Sequence, residues 1–80
     1  MIQAKVFGVE NCSNETILLE ATNIEELMDK ISKKFDTVLI DRLRSCAVIV
    51  NNEYVMELDR IKMKLKDGDD VLILSPIIGG

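Results

Sequence analysis

From Ile2 to Phe7 apolar and polar positions alternate, with Ile2, Ala4 and Val6 on one side and Gln3, Lys5 and Phe7 on the other. A period of two predicts a strand with one buried face. Phe7 then stands on the other face, either as an apolar contact for a partner or covered by a loop. Gly8 to Glu15 is polar, with Asn11, Ser13 and Asn14, and reads as a short loop. The run TILLEA that follows predicts a second strand, and so short a connection predicts an antiparallel hairpin.

The period then lengthens. Ile24, Leu27, Met28, Ile31 and Phe35 recur at helical spacing, while Glu25, Glu26, Asp29, Lys30, Lys33 and Lys34 fill the opposite face. The acidic residues come early and the lysines late, which suits the helix dipole. Thr22 followed by Glu25 has the spacing of a capping box, so the helix is expected to start there. The stripe reads as core packing rather than a ligand site. From Asp36 to Ser45, Val38, Leu39 and Leu43 with Asp41, Arg42 and Arg44 are compatible with a short second helix.

The stretch CAVIVNNEYV predicts a buried β-branched strand, a turn at Asn51 and Asn52, and a short returning strand through Tyr54 and Val55. LKDGDDVLIL predicts a tight turn at Asp67 and Gly68 and another strand from Val71 to Leu74. The order is strand, strand, helix, short helix, strand, short strand, strand. That is an α+β layout, with one main helix laid across one face of a mixed sheet. The strands at the two ends of the chain would pair in parallel at the sheet centre, which requires apolar character on both faces, and Val71 to Leu74 has it. The folded domain is expected over residues 1–75, with 76–80 as a flexible extended tail.

Composition narrows the function classes. With 80 residues the chain makes one domain with a single modest core, which argues against a large enclosed active site. A formal charge of −4 sets nucleic acid and membranes aside as partners and favours another protein. There is no histidine, and Cys12 and Cys46 are far apart, so no metal site is expected. Both cysteines read as free thiols, Cys46 as a small buried hydrophobe and Cys12 in a polar loop. DGDD lacks the rest of a calcium-loop pattern and reads as a turn. Neither a membrane span nor a signal-peptide layout is visible, so a cytoplasmic location is expected.

What remains is the segment after the last strand, SPIIGG. Pro76 cannot donate to a sheet ladder, so pairing should end there. Residues 77–80, extended at about 3.3 Å each, would reach roughly 13 Å, enough to enter another protein's cleft. Gly79 and Gly80 lack a Cβ and can pass a channel closed to other residues. A carboxylate at the end of such a tail becomes an acyl donor once ATP converts it to a mixed anhydride.

These residues carry a resemblance. Leu65, Asp67, Gly68, Asp69 and Val71, followed by Pro76, Gly79 and Gly80, resemble the L-x-D-G-D-x-V motif and proline-containing Gly-Gly tail of the β-grasp, ubiquitin-like sulfur carriers. Val50, Asn51 and Val55 match the V-N-x-x-x-V hairpin of the same family, and the molybdopterin synthase small subunits are the most similar group. The resemblance covers essentially the whole chain. It implies a carrier with no active site or bound cofactor of its own. Gly80 would be adenylated with ATP by an activating enzyme and converted to a thiocarboxylate. Pro76, Ile77, Ile78 and Gly79 would be inserted into the large catalytic subunit of molybdopterin synthase, with Phe7 as a candidate interface contact. Two positions depart from the family: Ser75-Pro76 stands in place of Pro-Pro, and Ile78 in place of a small residue. Both bear on which enzyme receives the sulfur. The alternatives are sulfur donation to thiamine or another metabolite, a ubiquitin-like modifier joined to lysines through Gly80, and a small domain with a frayed end.

Overall fold

The computed structural model describes residues 1–8, 16–35 and 39–75; of Phe35 and Leu39 only the backbone is described. The elements are β1 (Ile2–Phe7), β2 (Ile17–Leu19), α1 (Ile24–Phe35), α2 (Leu39–Arg44), β3 (Ala47–Val50), β4 (Glu53–Val55), a turn of 3-10 helix at Glu57–Asp59, and β5 (Asp70–Leu74). The strands form one sheet in the order β2-β1-β5-β3-β4. β1 and β5 are parallel, with Gln3 opposite Asp70 and Phe7 opposite Leu74, and the other three pairings are antiparallel. The α+β layout, the hairpin and the parallel central pair follow the sequence reading.

The alternation in β1 becomes a burial pattern: Ala4 and Val6 are fully enclosed, and Ile2 nearly so. Val71 and Ile73 of β5 and Val48 and Val50 of β3 extend the same face. Against it lie Ile24, Leu27, Met28 and Ile31 of α1, all with no exposure, together with Leu43 of α2 and Cys46. Each such side chain contributes about 1.5–3 kcal/mol on leaving water, which is why the stripe, more than helix propensity, holds α1 in place. Cys46 packs as the small hydrophobe expected and donates its thiol to the Arg42 carbonyl at 3.2 Å. Cys12, Val38 and the side chain of Phe35 lie outside the described residues.

The start of α1 corrects the sequence reading. The capping residue is Asn23, not Thr22: Asn23 Oδ1 accepts the Glu26 N–H at 2.8 Å. Glu26, not Glu25, reaches back, accepting the Thr22 N–H at 2.9 Å. Thr22 and Asn23 both suit a cap by residue type, and contacts beyond the helix decide between them. The Thr22 carbonyl accepts the Leu65 N–H at 2.8 Å, and Glu25 is drawn sideways to Arg44, whose Nη2 lies 2.7 Å from its Oε1.

Arg60 joins three elements without any local pattern to announce it. It is buried, and its Nη1 donates to the Arg44 carbonyl at 2.7 Å while Nη2 donates to that of Cys46. Its own carbonyl accepts the Ile24 N–H at 3.0 Å. A cation is thereby placed against the carbonyl end of α2, the entry to β3 and, through the backbone, the first turn of α1.

Candidate functional site

Among the described residues, the helices cover one face of the sheet only. On the other, the strand registers bring side chains into rows: Leu18 with Gln3 and Asp70; Tyr54, Ile49, Leu72 and Lys5; and Ala47, Leu74 and Phe7. Phe7, Ala47, Ile49, Leu72 and Leu74 are half-buried by their neighbours, while Leu18 and Tyr54 are 60% and 63% exposed. A shallow groove of about 310 Å³ runs across this face, lined by Gln3, Lys5, Ile49, Asp70 and Leu72 among others. Among the described residues the face is apolar through its middle, with a cation at Lys5 and a carboxylate at Asp70. Beside the β4 edge, Met56, Leu58 and Ile61 around the 3-10 turn are also largely exposed.

β5 crosses this face at its centre and is held at both ends. At the entry, the Asp69 carboxylate accepts the Lys66 N–H at 2.7 Å and the Asn51 side-chain amide at 3.0 Å. The other end of that amide accepts the Asp70 N–H at 3.0 Å, and the Asn51 N–H donates to the Asp70 carbonyl at 2.8 Å. The Lys66 backbone bond, then the Asn51 bond, hold the Asp69 carboxyl below its ordinary value of 3.8, because both stabilise the ionised form. Asn51 and Asn52 take positive φ of 50° and 72° to make the β3–β4 turn, and Gly68 takes 88° in the turn before β5. The Met1 amino group pairs with Asp67 beside that turn, and the Gly68 N–H donates to the Met1 carbonyl.

Asn51 and Asp69, read in sequence as parts of two separate motifs, thus meet in a single clasp. They fix where β5 enters between β1 and β3. At the exit, the ladder runs one residue beyond Leu74: the Ser75 N–H donates to the Phe7 carbonyl at 3.0 Å.

Of the residues singled out from sequence, Phe7 lies on the face away from α1, beside Leu74 at this exit. Pro76, Ile77, Ile78, Gly79 and Gly80, and with them the expected tail over 76–80, lie outside the described residues. Among the described residues no cluster of metal-ligating side chains is present, and no helix is long and apolar enough to cross a membrane. The remainder of the apolar face, Ile49, Leu72 and Leu74 with Tyr54, was not singled out from sequence as a surface. The usable signal was β5 itself, apolar on both faces while a single helical stripe was available to cover one of them.

The family model of the ThiS family matches residues 3–80. No curated protein matches the chain. Among solved structures, a chain in the complex of subunits 1 and 2 of molybdopterin-converting factor from Helicobacter pylori 26695 is 28% identical, with 99% of this chain and 97% of that one covered and a TM-score of 0.66. A chain in the BexX/CysO complex of Amycolatopsis orientalis is 18% identical over the full length of both, with a TM-score of 0.77. Urm1 from Trypanosoma brucei is 18% identical, covering 99% of this chain and 94% of its own, with a TM-score of 0.65. The last two are likenesses of fold.

Proposed function

The chain belongs to the ThiS family of ubiquitin-like β-grasp sulfur carriers, and on that premise we propose that Gly80 carries the sulfur, as a thiocarboxylate, for molybdopterin biosynthesis. The observation that carries this reading is the reach of the family match: it runs to residue 80 and so takes in the Gly-Gly end together with the clasp motifs. The 28% identical chain belongs to a molybdopterin-converting factor complex, which supports that pathway over the other recipients.

The chemistry proceeds in two displacements. The Gly80 carboxylate attacks the α-phosphate of ATP on an activating enzyme, pyrophosphate leaves, and an acyl-adenylate results. A hydrosulfide-equivalent donor then attacks the acyl carbon and AMP leaves, so the carboxylate has exchanged one oxygen for sulfur. The chain binds no cofactor of its own; ATP is consumed by the partner. A thiocarboxylate is ionised near neutral pH and is the better nucleophile, and tethering holds its sulfur at the reacting centre instead of leaving it to diffuse away.

Docking falls to the open sheet face. Phe7 and Leu74 lie where β5 ends, next to Ser75, from which residues 76–80 continue, so a partner that covers this end of the face is placed to receive them. Pro76, Ile77, Ile78 and Gly79 enter its cleft, first that of the adenylating enzyme and then that of the large catalytic subunit of molybdopterin synthase. The exchange takes place in the cytoplasm.

Incubation with ATP, an adenylating enzyme and a sulfur donor tests the reading by intact-protein mass spectrometry. The expected result is an oxygen-to-sulfur mass increase confined to the C-terminal peptide. A chain that is adenylated yet ends only in isopeptide-linked conjugates, with no thiocarboxylate at any time, overturns it in favour of a protein modifier.

A further inference from the structure

We propose that Gly8 is a positioning residue: its missing side chain sets the position of Ser75, the residue from which residues 76–80 continue, and with it the delivery of Gly80 to a partner's reaction centre. The consequence for delivery rests on the carrier reading above; the local geometry does not.

Three observations converge on this position. Gly8 follows the last residue of β1 and has a φ of +77°, in the region L side chains rarely adopt. A methyl built on its Cα would sit 2.9 Å from Ser75 Cβ, nearer than real Cβ atoms approach one another, and 3.8 Å from Ser75 N and Oγ. The Ser75 N–H is also the donor that closes the β1–β5 ladder, to the Phe7 carbonyl at 3.0 Å. Gly8 is therefore the surface against which the residue after β5 rests. The neighbour it would strike is a Cβ, fixed to the backbone, and not the far end of a long side chain that could swing away. Any side chain at position 8 forces a backbone shift at Ser75 or at position 8 itself.

The position of Ser75 matters because docking and delivery are separate acts of one rigid body. The sheet face fixes how the domain sits on its partner, and Ser75 is where residues 76–80 start from. If Ser75 moves while the face stays, binding survives but Gly80 arrives off its mark, and a displacement of about 1 Å at a reacting centre can cost about a hundredfold in rate. Sequence reading assigned Gly8 to a polar loop; its role appears only when β5 is laid beside β1.

Two substitutions separate the close contact from backbone strain. Asn tolerates positive φ far better than Ala, so Gly8→Asn keeps the backbone and adds the obstructing Cβ. Ser75→Gly removes the atom it would strike. Adenylation of Gly80 by an enzyme that accepts the unsubstituted chain, and hydrogen exchange of the Ser75 amide, are measured for the parent, both single variants and the double variant. For Gly8→Asn we expect kcat to fall by about tenfold or more with KM within about threefold of the parent. Its Ser75 amide should exchange about tenfold faster, as local opening of the ladder end is favoured. The double variant should return both to within about threefold of Ser75→Gly alone.

A Gly8→Asn chain that keeps the parent's rate and exchange, or one whose losses Ser75→Gly does not repair, overturns the proposal. If no adenylating enzyme accepts the parent chain, it is the carrier reading that fails. The exchange measurements then decide the role of Gly8 by themselves: faster in Gly8→Asn and restored in the double variant supports it, and unchanged exchange refutes it.

Discussion

Ile73 and Leu72 are neighbours on β5, both apolar, and the sheet uses them oppositely. Ile73 points under α1 and has no exposure, whereas Leu72 points to the open face and is half-buried between Lys5 and Ile49. The same division runs through β3, where Val48 and Val50 are enclosed while Ala47 and Ile49 remain partly open. One face has been closed by the chain's own helices and supplies the stability. The other stays apolar with no part of the described chain laid over it. A strand apolar on both sides, in a sheet whose helices pack on one of them, leaves an apolar face uncovered among the described residues, the kind of surface that marks a binding site.

The division is tested first where it should matter most. Ile73→Ala removes a fully enclosed side chain and should cost about 3 kcal/mol, measured by urea unfolding. Leu72→Ala should cost about 1 kcal/mol or less, yet weaken binding to the adenylating enzyme by about tenfold, measured by calorimetric titration. If Leu72→Ala destabilised the fold as much as Ile73→Ala, the two faces would not be distinct in kind.

A smaller effect is expected from Asp69→Asn, which weakens the clasp at the entry to β5. The folded-state pKa of Asp69 lies below 3.8, so the stabilisation from its ionised form is complete above about pH 4 and is lost as pH falls through the folded value. The stability gap between parent and Asp69→Asn, followed by thermal melts, should be widest near neutral pH and shrink in acid. Smallest of all is the effect of deleting Gly79 and Gly80: the melting temperature should stay within about 2 °C of the parent's, while adenylation is abolished. An earlier melt would mean that the end of the chain helps to hold the domain together.

Much of this was legible in the residues, for reasons that differ by element. The stripe of α1 is a strong periodic signal, and its members from Ile24 to Ile31 are all enclosed. The turn at Asn51 and Asn52 was legible because asparagine is among the few residues that accept positive φ. The cap of α1 was misplaced by one residue because Thr22 and Asn23, and likewise Glu25 and Glu26, are interchangeable by type; Leu65 and Arg44, far along the chain, settle the choice. Arg60 and the 3-10 turn before it were not legible at all. The carbonyls Arg60 binds belong to Arg44 and Cys46, 16 and 14 residues upstream, a relation that exists only after folding. The site divides the same way. Alternation placed Phe7 on the open face, but the meeting of Asn51 with Asp69 and of Gly8 with Ser75 needs strands brought together from distant parts of the sequence.

The parallel pairing of β1 with β5 also bears on how the protein is made. The two central strands are residues 2–7 and 70–74, so the middle of the sheet cannot form until nearly the whole domain has been synthesised. Until then β1 can pair only with β2, and a lone two-stranded hairpin is marginally stable in water. Such long-range closure is intrinsically slow, and a chain interrupted before residue 70 lacks the strand that joins the two halves of the sheet. An interrupted chain therefore lacks the finished open face proposed above for docking. On the proposed carrier reading, synthesis itself sorts the population: a molecule with that face complete is one whose translation has already passed β5, the strand that leads to Gly80.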